Sequence, residues 1–70
     1  MRRNLIGLSI KRLRLGCGLT QAQLVQQLQQ QGLFITQDTL SRIETGHRPV
    51  WDYEVKAFAA YFHVSPHHLY

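Results

Sequence analysis

Apolar residues recur at helical spacing along this chain, and glycine or proline breaks the pattern before any stretch grows long. Ile6, Ile10 and Leu13 stand at i, i+4 and i+7 and predict a first helix with one apolar stripe, ended by Gly16-Cys17-Gly18. Thr20 followed by Gln23 reads as a capping box opening a second helix, with Ala22, Leu24, Val25 and Leu28 inward and a stop near Gly32. The run Gln21 to Gln31 is rich in glutamine, but Leu24, Val25 and Leu28 interrupt it at helical spacing, so it is no low-complexity tract.

Leu33-Phe34-Ile35 forms a short apolar connection, after which Thr36 caps a third helix with Leu40 and Ile43 facing the core. Gly46 ends that helix, and His47-Arg48-Pro49 makes a break, since proline disfavours helix in the residue before it. Asp52 is expected to cap a fourth helix that buries Val55, Phe58, Ala59 and Phe62, and Ser65-Pro66 to open a last turn. No alternating period-two run occurs. The expected fold is therefore all-α, five helical segments in one domain covering residues 1–70.

Seventy residues lie near the lower size limit for a self-sufficient core, and an enzyme with a deep cleft and a lid finds little room in them. No apolar run is long enough to span a bilayer, and no long apolar stretch follows Met1-Arg2-Arg3 as a secretory signal requires. A single cysteine, Cys17, cannot form an internal disulfide, so a reducing cytoplasm is the expected location.

Eight Lys and Arg against four Asp and Glu give a net charge of +4, unevenly spread. Residues 1–37 carry Arg2, Arg3, Lys11, Arg12 and Arg14 and no acid. Residues 38–70 balance Arg42, Arg48 and Lys56 against Asp38, Glu44, Asp52 and Glu54. A basic surface of this kind attracts phosphate or anionic lipid.

The ordered set Ile6-Gly7, Ile10, Leu13-Arg14, Gly18-Leu19-Thr20-Gln21, Leu24, Thr36, Leu40-Ser41-Arg42-Ile43-Glu44, Gly46 and Arg48-Pro49 resembles the helix-turn-helix domains of Cro and the phage repressors, often called the Xre family. The resemblance continues through Tyr53-Glu54, Ala59, Phe62, Val64-Ser65 and Leu69, nearly the whole chain. One departure stands out. Leu24 and Leu40 lie sixteen residues apart, more than the family pattern has, and the excess falls around residues 29–34.

The resemblance implies a compact five-helix bundle of the lambda-repressor type that binds double-stranded DNA and regulates transcription, with repression as the expected sign. It implies that Gln21 at the start of the second helix and Arg48 after the third meet the DNA backbone. It also implies that Arg14 and Glu44 pair to join the first and third helices, a structural role.

Chemistry gives the base-reading candidates. With Leu40 and Ile43 inward, Gln37, Asp38, Ser41 and Arg42 are left for the major groove. Gln37 suits adenine, Arg42 guanine and Asp38 cytosine N4, although Asp38 at a helix start equally favours the dipole, and Arg42 could clamp a phosphate. Thr36 and Thr39 are candidates for the backbone, and Thr39 also offers a methyl group for thymine.

Other signals are weaker. His63, His67, His68 and the distant Cys17 lack zinc-ligand spacing, so no metal or other cofactor is expected. No GxxxxGK[ST], HExxH or serine elbow occurs, and no enzymatic activity is expected. Trp51, Tyr53, Tyr61, Phe62 and Tyr70 make an aromatic-rich second half that either completes the core or, with Leu5, Leu8 and Leu69, forms a homodimer surface. A rival reading is a protein-interaction module, an antitoxin-like or adaptor domain on the same scaffold. Membrane binding is disfavoured because the basic residues do not oppose a long apolar helix face.

Overall fold

A computed structural model describes the backbone of residues 2–70 and the side chains from Ile6 onward. Four α-helices follow in order: α1 (Arg2–Gly16), α2 (Gln21–Gln30), α3 (Gln37–Glu44) and α4 (Asp52–Phe62). A 3₁₀ turn, Pro66–Leu69, takes the place of the expected fifth helix. Four residues opened by proline complete one turn and no more, which is the length at which the tighter helix competes. The described residues contain no strand, and none of their helices is long and apolar enough to cross a membrane.

The core is built from the stripes the periodicity marks. Ile6 and Ile10 from α1, Leu24, Val25 and Leu28 from α2, Leu40 and Ile43 from α3, and Val55, Phe58 and Ala59 from α4 are all buried. Leu33 and Ile35 from the α2–α3 connection and Leu69 from the 3₁₀ turn join them. Each large side chain removed from water in this way contributes about 1.5–3 kcal/mol. Leu69 is fully buried and so cannot belong to a dimer surface, whereas Tyr70 beside it is exposed. Leu5 lies outside the described side chains.

Two expectations of burial are corrected. Ala22 is exposed, because Leu24, Val25 and Leu28 define the inner side of α2 and Ala22 falls beyond its edge. Phe62 is only half-buried, with its ring edge-on to Tyr61 at 5.1 Å between centroids. The start of α4 also differs from expectation. Trp51 occupies the cap position, and its N–H donates to Glu54 Oε1 at 2.9 Å, while Asp52 sits exposed in the first turn.

Helix ends follow the chemistry of the left-handed cap. Gly32, at φ 93°, closes α2 and lets the Leu33 N–H reach the Leu28 carbonyl at 3.0 Å. The same turn closes α4, with Val64 N–H on the Ala59 carbonyl at 3.0 Å, but there His63 holds the left-handed position at φ 57°.

Gly7 sets the spacing of α1 and α3. A Cβ at this position would overlap the Ile43 carbonyl oxygen and press on the Glu44 backbone. The two main chains therefore touch, and only a residue without a side chain permits it. Gly7→Ala is expected to lower stability by about 3 kcal/mol, the upper end of what overpacking costs. Gly16→Ala, where an added Cβ meets open space, is the control and should leave stability unchanged or slightly raised. Urea unfolding midpoints measure both, and equal midpoints for the two variants would refute the contact.

Candidate nucleic-acid interface

Residues 36–44 present two chemically opposite sides because of where the core lies. Leu40, Ile43 and Glu44 turn inward at i, i+3 and i+4, which sends Gln37, Asp38 and Arg42 into solvent and leaves Ser41 and Thr39 half-buried. The helix is closed at its start by Thr36, whose Oγ1 accepts from the Thr39 N–H at 3.1 Å and whose hydroxyl donates to Thr39 Oγ1 at 3.0 Å. At its end, the Thr45 hydroxyl reaches the Ser41 carbonyl at 3.0 Å and lies 2.8 Å from His47 Nδ1. Of the four base-reading candidates, Gln37, Asp38 and Arg42 thus share one outward face, with Ser41 half-buried beside them. Asp38 and Arg42 do more than share it: Arg42 Nε donates to Asp38 Oδ2 at 3.1 Å, one turn apart.

The inner side of α3 is held by a buried charge cluster. Arg14 Nε donates to Glu44 Oε2 at 2.7 Å and Nη2 to Oε1 at 3.0 Å, while Nη1 donates to the Leu19 carbonyl at 2.8 Å. The side chains are 9% and 2% exposed, so this is an interior pair. The hydrogen bond to Glu44 outweighs desolvation and holds the Arg14 guanidinium above its ordinary range. The expected α1–α3 tie is present, and it has a member that spacing did not suggest: Gln21 Nε2 donates to Glu44 Oε1 at 3.0 Å.

That contact changes what Gln21 can offer. Its side-chain amide is turned toward Glu44, so what remains at the start of α2 is chiefly the main-chain amides of the first turn. The capping box there forms as expected, with Thr20 Oγ1 accepting from Gln23 N–H at 3.1 Å and Gln23 Oε1 from Thr20 N–H at 2.9 Å. The Gln21 and Ala22 amides, which the box does not use, are suited to an anion.

Arg48, the other expected backbone contact, is engaged within the protein. Its Nη1 and Nη2 donate to the two oxygens of Glu54, each at 2.9 Å, and Nη1 also donates to the Pro49 carbonyl at 2.8 Å. Glu54 is 1% exposed, and the bidentate bond holds the Arg48 guanidinium above its usual range. Arg48 also lies over the Trp51 ring, 5.8 Å from its centroid. A buried carboxylate demands a cation, and Glu54 takes the nearest one. The signal was in the sequence as a glutamate three residues after the cap position of α4, but its partner depends on how the loop folds.

The remaining charge is simply placed. Lys11 and Arg12 are exposed on α1, and Lys56 is exposed on α4. The side chains of Arg2 and Arg3 lie outside those described. Among the described residues, no group of three or more His, Cys, Asp or Glu is arranged to hold a metal, and Cys17 is exposed.

Both ion pairs make a stability prediction. Arg14→Ala strands the Glu44 carboxylate inside and Arg48→Ala strands Glu54, so each should cost about 3 kcal/mol. Denaturant midpoints and amide exchange in α3 measure this. A parent-like midpoint in either variant would show that the stranded carboxylate finds water or another donor.

No curated protein and no solved structure matches the chain. The profile of the helix-turn-helix domain matches residues 5–69, all four helices except the first residues of α1, and the 3₁₀ turn. With α2 and α3 packed together, a polar outer face on α3 and an arginine–glutamate tie behind it, the match has a physical basis. The chain belongs to the helix-turn-helix domain family, a DNA-binding fold of the Cro and phage-repressor type.

Proposed function

We propose that this chain binds operator DNA sequence-specifically and regulates transcription, as a repressor, by occupying a promoter. The observation that carries the reading is the outward face of α3, where Gln37, Asp38, Ser41 and Arg42 stand together on a helix fixed from behind by Glu44. A helix of this width enters the major groove, and its first two turns reach base edges. Gln37 reads adenine through its amide, and Arg42 reads guanine through its guanidinium. Thr36, Thr39 and the start of α2 at Gln21 meet the sugar–phosphate backbone. Lys11 and Arg12 add free positive charge. The role has no catalytic step and no cofactor, and it is exercised in the cytoplasm.

Two copies reading two half-sites fit this mode of binding, and the exposed Leu8 and Tyr70 are available to such a homodimer. One observation favours a second reading. Trp51 and Tyr53, 51% and 63% exposed at the start of α4, are a cost to a monomer and suit a protein-interaction module of the antitoxin or adaptor kind.

Selection of bound duplexes from a random pool tests the reading directly. A single recovered motif, bound more weakly as salt rises, is the expected result, and an unenriched pool would contradict it. Gln37→Ala should then erase preference at one adenine, a loss of about 1–3 kcal/mol of discrimination, with little change in binding to random sequence. An unchanged sequence logo for that variant removes Gln37 from the base-reading set.

A further inference from the structure

Asp38 is the one acid on the exposed face of α3, where a carboxylate repels the phosphates of any duplex. Its proximity to the positive end of the helix dipole gives a reason to tolerate it. The geometry gives a stronger one. Arg42 Nε is bonded to Asp38 Oδ2 at 3.1 Å, with the side chains 63% and 77% exposed respectively. This bond occupies the Nε edge of the guanidinium and leaves the two terminal nitrogens, which form the fork that matches guanine O6 and N7. Arg14 and Arg48 differ in this respect: both of their terminal nitrogens are already bonded within the protein.

We propose that Asp38 sets specificity by positioning Arg42, holding its guanidinium for guanine and withholding it from phosphate. The inference rests on the DNA-binding reading above and deepens it. On random sequence, the Asp38 carboxylate held beside the guanidinium offsets its attraction to the polyanion, so the pair contributes little net affinity there. On a site with guanine at the right place, the free fork bonds to the base while the Nε bond to Asp38 persists. Discrimination is a ratio of affinities, and this arrangement raises it by lowering the nonspecific term. Asp38 is then a positioning residue that need not touch a base.

The test uses a site recovered from the random pool, a scrambled duplex and a salt series, read by fluorescence anisotropy. The chain is compared with Asp38→Asn, Arg42→Ala and the double variant. Both residues are exposed, and thermal melts confirm that the variants fold. Asp38→Asn is expected to tighten binding to the scrambled duplex by about threefold, the size of one exposed ion pair released. It should steepen the slope of log K against log salt by about 0.9, the mark of one added phosphate contact. Preference for guanine at the position read by Arg42 should fall. In the Arg42→Ala background, Asp38→Asn should alter neither the slope nor the preference.

An unchanged slope for Asp38→Asn overturns the proposal. So does the same change in both backgrounds, which would mean that Asp38 acts as bare charge. Loss of preference at a cytosine instead of a guanine would assign Asp38 direct base contact and overturn it as well. Failure of the parent chain to bind any duplex at low salt is a separate result that removes the DNA reading and this inference together.

Discussion

The Glu44 carboxylate is the point at which three helices agree on a position. It accepts from Arg14 of α1 and Gln21 of α2 while belonging to α3, and Arg14 also ties down the α1–α2 turn through the Leu19 carbonyl. An ion pair this deep adds little net stability over an apolar substitute, because desolvation offsets most of its Coulombic gain. Its effect is geometric. Directional bonds to both carboxylate oxygens define where α3 lies along α1, which apolar contacts between Ile10, Leu40 and Ile43 alone would leave less sharply determined.

The electrostatic character of the outer surface follows from how the arginines are spent. Arg14 and Arg48 are turned inward to neutralise Glu44 and Glu54, and Arg42 is paired with Asp38. The formal charge of +4 therefore does not sit on the exposed face of α3. Among the described side chains it is carried by Lys11 and Arg12 on α1 and Lys56 on α4, with exposed Asp52 opposing them. Under the proposed DNA-binding reading, long-range attraction and short-range discrimination would fall to different parts of the molecule.

Much of this was legible in the sequence wherever the governing physics is local. The capping box of Thr20 and Gln23, the cap at Thr36, the glycine stops and the inward Leu40 and Ile43 each depend on residues within one or two turns. The Arg14–Glu44 tie was legible only through the family pattern, since thirty residues separate the partners. What escaped were features decided by competition in three dimensions. Arg48 reads as a surface cation but is bonded to the buried Glu54, and the Gln21 side chain has a bond to Glu44 that spacing did not suggest. Ala22 failed for a simpler reason, since an alanine near the edge of an apolar stripe belongs to either side. The outward face of α3 was legible as a set, but the bond between two of its members was not.

If α3 enters a groove as proposed, the close approach at Gly7 has a consequence for the nucleic acid as well as for the protein. With the main chains of α1 and α3 in contact and Glu44 bonded behind them, a roll or slide of α3 to suit a groove of the wrong width would have to break these contacts. A misfit would then be taken up more cheaply by bending or twisting of the double helix. Pliable pyrimidine–purine steps yield at lower cost than stiff adenine tracts, so on that reading base pairs that no side chain touches would still influence where the domain settles.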